Sequence, residues 1–87
     1  MFIIMVYDIK EKRVAKILKI SRRYLTWIQN SVFEGDITYA NFIKLKHELK
    51  KAIKKDEDSI VFYTFRTKDY TSREIMGIEK GKAETII

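Results

Sequence analysis

Asp8 is the residue of this chain best placed to do chemistry. It follows Met1-Phe2-Ile3-Ile4-Met5-Val6-Tyr7, an unbroken apolar and aromatic run. A run of that length, rich in β-branched and aromatic types, predicts a strand buried on both faces. Helix is the competing reading of a short apolar run, but Lys10-Glu11-Lys12-Arg13 restarts the pattern too soon for one long helix. Asp8 therefore stands where the strand leaves the core. In open α/β sheets the carboxyl ends of strands are where ligands gather. Two readings stand side by side: an acid that binds a ligand, or a solvated carboxylate that turns the chain or caps the next helix.

Other chemical signatures are scarce. His47 is the only histidine, and no second His, Cys or acidic cluster lies at ligand spacing, which makes it a surface or rim residue. The chain has no cysteine, which excludes disulfides and thiolate metal sites and makes the cytoplasm the simplest location. There is no glycine-rich phosphate loop and no credible Ser-His-Asp set. Ser59 to Phe65 has the aromatics of an RNA-recognition strand without its glycines. No segment approaches the ~20 apolar residues that span a bilayer, and Met1 opens a strand rather than a leader, so no membrane partner is expected.

Charge gives the second functional signal. The formal net charge of the 87 residues is +6, and it is unevenly placed. Up to Lys55 there are 13 Lys and Arg against 5 Asp and Glu; from Asp56 onward there are 5 against 7. A basic excess confined to two-thirds of a small domain favours a polyanionic partner, DNA or RNA, over a surface that is merely well solvated.

The elements that must position these residues follow from periodicity. Lys10 to Leu25 carries Val14, Ile17, Leu18, Ile20, Tyr24 and Leu25 on one helical face. Lys12, Lys16, Lys19 and Arg23 share the opposite side, and Arg22 and Arg23 load the last turn, where cations suit the helix dipole. Thr26 to Gly35 alternates like a strand, with Asn30-Ser31 predicting a tight turn between two short ones. Trp27 and Phe33 read as packing residues, with stacking of either on a base as the alternative. Asp36 to Lys55 predicts a second helix with Asp36 or Thr38 as N-cap and an outer face of lysines. Asp56-Glu57-Asp58 reads as an acidic turn, Ser59 to Arg66 as a strand, Thr67 to Ser72 as a polar loop, and Arg73 to Glu79 as a last strand. The order is β-α-β-β-α-β with one extra strand, a ferredoxin-like α+β domain covering residues 1–87. Such a chain buries only roughly 60–65% of its surface, and Glu84-Thr85-Ile86-Ile87 ends it on apolar residues. Residues 74–87 are therefore expected to contact a partner subunit.

Three segments in register resemble the CRISPR-associated protein 2 family: Val6-Tyr7-Asp8-Ile9, Ile28 to Gly35 (Ile-Gln-Asn-Ser-Val-Phe-Glu-Gly), and Asp56-Glu57-Asp58-Ser59-Ile60. Ile75-Met76-Gly77-Ile78-Glu79 with the terminal Ile-Ile is similar to one branch of it. The resemblance implies a ferredoxin-like homodimer whose additional C-terminal strand is exchanged onto the partner subunit. It implies that Asp8 is a catalytic residue and metal ligand, two copies holding one Mg²⁺ across the dimer axis. Tyr7, Arg13, Ser31 and Phe33 match positions near that site, while Lys12, Lys16, Lys19, Arg22 and Arg23 are the expected nucleic-acid contacts. Trp27 and Glu11 stand where many relatives carry basic residues. The implied activity is a metal-dependent endonuclease on RNA or DNA. The implied setting is spacer acquisition, with the dimer held between CRISPR-associated integrase dimers. A purely architectural DNA adapter and a toxin-like ribonuclease are the alternatives.

Overall fold

The computed structural model describes residues 1–67 and 70–78. Seven elements follow one another: β1 (Phe2–Asp8), α1 (Glu11–Arg22), β2 (Thr26–Gln29), β3 (Val32–Asp36), α2 (Tyr39–Ala52), β4 (Ser59–Thr67) and β5 (Tyr70–Gly77). The strands form one sheet in the order β2-β3-β1-β4-β5, with every neighbouring pair antiparallel. This is the ferredoxin-like order extended by a fifth strand. β1 lies in the middle of the sheet, as its apolar run requires. Its Val6 faces Val32 of β3 on one side and Val61 of β4 on the other.

Side chains alternate across the sheet, so each strand has two fates. Ile3, Met5 and Tyr7 are buried with Phe33, Ile60 and Phe62, against Ile17 and Ile20 of α1 and Phe42, Leu45 and Leu49 of α2. Phe42 meets Phe62 edge-on at 5.2 Å and 83°, an arrangement worth about 0.5–1.5 kcal/mol beyond its buried area. Both helices thus cover the same face. The opposite face carries Phe2, Ile4 and Val6 of β1 beside Val32, Val61, Tyr63 and Phe65, all only half-buried. The expectation that β1 is buried on both faces is corrected here: one chain closes one face, because both of its helices lie on the same side.

Three boundaries also differ from the sequence reading. Thr38 is the N-cap of α2, its hydroxyl accepting the Asn41 N–H at 3.1 Å, while Asp36 is the last residue of β3, opposite Phe2. The supposed polar loop from Thr67 to Ser72 is partly strand, since β5 begins at Tyr70. An antiparallel edge strand is held through its backbone, so polar side chains do not prevent it. β5 pairs with β4 of its own chain, Ile75 opposite Val61 and Gly77 opposite Ser59. Tyr70–Gly77 thus extends the sheet of its own chain; two residues separate β4 from β5 in sequence, which makes the local pairing the short one to close. Glu84-Thr85-Ile86-Ile87 lies outside the described residues.

Candidate active site and nucleic-acid interface

Asp8 ends β1 opposite Ser59, and it is exposed. By alternation it belongs to the half-buried face, in line with Phe2, Ile4 and Val6 and at the rim of that apolar surface. Beside it runs the β2–β3 turn. The Tyr7 N–H donates to the Ser31 carbonyl at 3.0 Å, so the strand end and the turn are fastened together. Asn30 holds the turn in the left-handed region with φ 45°, a conformation that asparagine tolerates better than most residues. Its carbonyl accepts from two aromatic side chains, Tyr7 Oη at 3.2 Å and Trp27 Nε1 at 3.0 Å.

Tyr7 is 8% exposed. Burial pushes its phenol above the ordinary value, opposed by a hydrogen bond with Ser31 and by the Arg22 charge. At neutral pH it is a hydrogen-bond donor rather than a base. Phe33 lies 6.0 Å from the Tyr7 ring and is fully buried. It supports the site from the core and does not present a surface to a ligand. Trp27, expected to pack, is 47% exposed; its indole N–H is spent on the turn.

Arg13 is differently employed. Its Nε donates to Asp58 Oδ2 at 2.6 Å, and its Nη2 donates to Asp58 Oδ1 at 3.0 Å and Glu57 Oε1 at 2.8 Å. These two carboxylates raise the guanidinium still further above its ordinary value, Asp58 first. Asp58 is fully buried and also accepts the backbone N–H groups of Lys10 at 2.9 Å and Lys54 at 2.8 Å. Arg13 and the peptide donors hold the Asp58 carboxyl well below the usual carboxylate range, against a desolvation that would raise it. Reading Asp56-Glu57-Asp58 as an acidic turn missed the role of this residue. The only signal in the sequence was an Arg of opposite charge 45 positions away.

The structure places Lys12, Lys16, Lys19 and Arg22 in the open on α1. Arg23 is also exposed but pairs with Glu48 of α2, which accepts from the Tyr24 hydroxyl as well. A shallow hollow of about 540 Å³ runs along this surface between Ala15, Lys16, Lys19, Ile20 and Arg23. His47 is exposed and lines a second groove between α2 and β5. Among the described residues no helix is long and apolar enough to cross a membrane.

Strand order, the aspartate at the tip of the central strand and the tyrosine-fastened turn can be compared with known proteins. The family model for CRISPR associated protein Cas2 matches residues 1–73. The chain belongs to the Cas2 family. It is 52% identical over its whole length, and over the whole of the relative, to the CRISPR-associated endoribonuclease Cas2 of Dictyoglomus turgidum. It is 50% identical to the protein of the same name from Thermotoga maritima, with 94% of each chain covered. Among solved structures, a Cas2 crystal structure superposes with a TM-score of 0.74 at 39% identity, covering 100% of this chain and 98% of that one. Streptococcus pyogenes Cas2 at pH 6.5 gives 0.69 at 35% identity, covering 75% and 86%. The ferredoxin-like fold and the Cas2 resemblance read from the sequence are both borne out.

For Mg²⁺ one chain offers the strand-end carboxylate of Asp8. That ion takes six oxygens in near-octahedral geometry and is bound through one or two carboxylates plus water and phosphate. Among the described residues no group of three or more His, Cys, Asp or Glu side chains is assembled to hold a metal.

Proposed function

We propose that the chain acts as a homodimeric CRISPR-associated endoribonuclease whose site forms where two Asp8 side chains meet. The observation that carries this is the position of Asp8 at the rim of the half-buried sheet face. Phe2, Ile4, Val6, Val32, Val61, Tyr63 and Phe65 form an apolar surface that a second copy can cover, and covering it brings a second carboxylate beside the first. A divalent ion held by the pair would supply Lewis-acid stabilisation of charge on a phosphodiester. The chain's own contribution is positional: Tyr7 and Ser31 fix the strand end against the turn, and the α1 cations draw the polyanion in.

The test is cleavage of single-stranded RNA by purified dimer with and without Mg²⁺. Asp8→Asn, which keeps shape and removes charge, is expected to leave the dimer folded and abolish Mg²⁺-dependent cleavage. Cleavage at the wild-type rate in that variant would sink the reading.

The exposed basic stripe on α1 favours a second role, as a DNA-holding scaffold in spacer acquisition between integrase dimers. An integration assay separates the two. Integration that survives Asp8→Asn marks a scaffold, while integration lost with it marks catalysis at Asp8.

A further inference from the structure

We propose that Asp58 is a positioning residue for Asp8, fixing the turn that follows it; this rests on the reading of Asp8 as the reactive carboxylate. Asp58 brackets Asp8 from two directions. Its side chain holds the N–H of Lys10, two residues beyond Asp8 and the N-cap of α1. Its chain neighbour Ser59 is the residue paired with Asp8 across β1 and β4. The same carboxylate holds the Lys54 N–H just past α2 and two donors of Arg13 in the first turn of α1. An ionised carboxylate has about four lone-pair sites, and four N–H groups from three residues fill them. Its backbone carbonyl, in turn, accepts the Ile78 N–H at 2.9 Å after β5.

A buried charge is a poor way merely to close a junction, because apolar residues of similar volume serve packing as well or better. What four convergent donors supply is direction. Among the described residues the N-cap of α1, Lys10, makes no side-chain capping hydrogen bond. Without Asp58 the turn after Asp8 keeps its strand pairing and the Arg13 N–H to Lys10 carbonyl bond but loses the acceptor of the Lys10 N–H. The peptide that leaves Asp8 then shifts, and the Asp8 carboxylate shifts with it. Arg13, on this account, acts through Asp58 and does not touch the substrate.

The test uses the full-length dimer with Asp58→Asn, and with the paired change Arg13→Met and Asp58→Leu, which replaces both charges by apolar side chains should the single variant fail to fold. Three quantities are read on folded protein: kcat and KM for single-stranded RNA, exchange of the Lys10 amide, and the ¹³C shift of the Asp8 carboxyl. The expected result is a fall in kcat of at least tenfold with KM within threefold, tenfold faster Lys10 exchange, and a moved or broadened Asp8 signal. A folded paired variant with wild-type kcat, or with an unchanged Asp8 signal, overturns the proposal. Asp8→Asn is assayed in parallel. Should it cleave normally, the catalytic reading fails by itself, and the Asp8 signal and Lys10 exchange still decide positioning: changed supports it, unchanged refutes it.

Discussion

Salt should govern nucleic-acid binding by this chain to an extent that can be worked out from α1. Lys12, Lys16, Lys19 and Arg22 stand exposed along it, while Arg23 is already paired with Glu48. Each phosphate neutralised releases condensed counterion, giving a slope of log affinity on log salt of about −0.9 per contact on duplex DNA and −0.7 on a single strand. Four contacts from one helix therefore give about −3.6 and −2.8. Between 50 and 200 mM salt, affinity should fall roughly 150-fold on duplex and roughly 50-fold on a single strand. Lys16→Gln with Lys19→Gln removes two contacts without touching the core. The duplex slope should then drop to about −1.8, and the same salt step should cost only about 12-fold. Fluorescence anisotropy with a labelled 30-mer across that salt range measures both slopes. A wild-type slope shallower than about −1, or one unchanged by the paired substitution, would place the polyanion elsewhere and refute the assignment.

Two further outcomes concern the framework beneath the site. The folded-state pKa of Asp58 is depressed relative to an unfolded aspartate near 3.9, so its stabilisation is present above that value and is lost as the pH falls below it. Melting temperatures of wild type and Asp58→Asn, taken from pH 7 to pH 2.5, should differ most at neutral pH and converge in acid; a constant difference would show that Asp58 is not the titrating group. Gly77 has φ +98°, and a Cβ there would overlap the Asp58 carbonyl oxygen and lie 2.9 Å from its carbon and 3.2 Å from Ser59 Cα. All three obstacles are backbone. Gly77→Ala should cost about 2–3 kcal/mol from the left-handed backbone and the lost Ile78 hydrogen bond, lowering Tm by roughly 10–20 °C; a shift under 2 °C would contradict the geometry.

The parts of the molecule that the sequence disclosed are those written in local pattern. The apolar run to Asp8, the helical face of Val14, Ile17 and Ile20, the Asn30-Ser31 turn and the Thr38 cap each need only a few neighbouring residues to be recognised. What it hid depends on partners distant in the chain. Asp58 looks solvated between Glu57 and Ser59, and only the folded chain brings it under Arg13, Lys10 and Lys54. Trp27 and Phe33 have the same strand parity and face each other across β2 and β3, yet one is half-exposed and the other enclosed. The difference is their distance from the centre of the sheet, which no local pattern records. Tyr70 to Ser72 escaped notice for a related reason: edge pairing draws on backbone groups that every residue type carries.

The placement of both helices on one face of the sheet has a consequence for reach. If two chains meet through their bare faces, the helices become the outermost layers on opposite sides of the assembly. Stacked sheets lie about 10 Å apart, and a helix with its side chains adds roughly 10–12 Å beyond each. The two lysine stripes then look away from one another across roughly 30–34 Å. No straight rod of nucleic acid can lie on both at once. A single duplex would have to run along the flank of the block, or two separate segments would be carried back to back, one on each outer surface. The same chain that is too small to grip much by itself becomes, when doubled, a spacer with a fixed width.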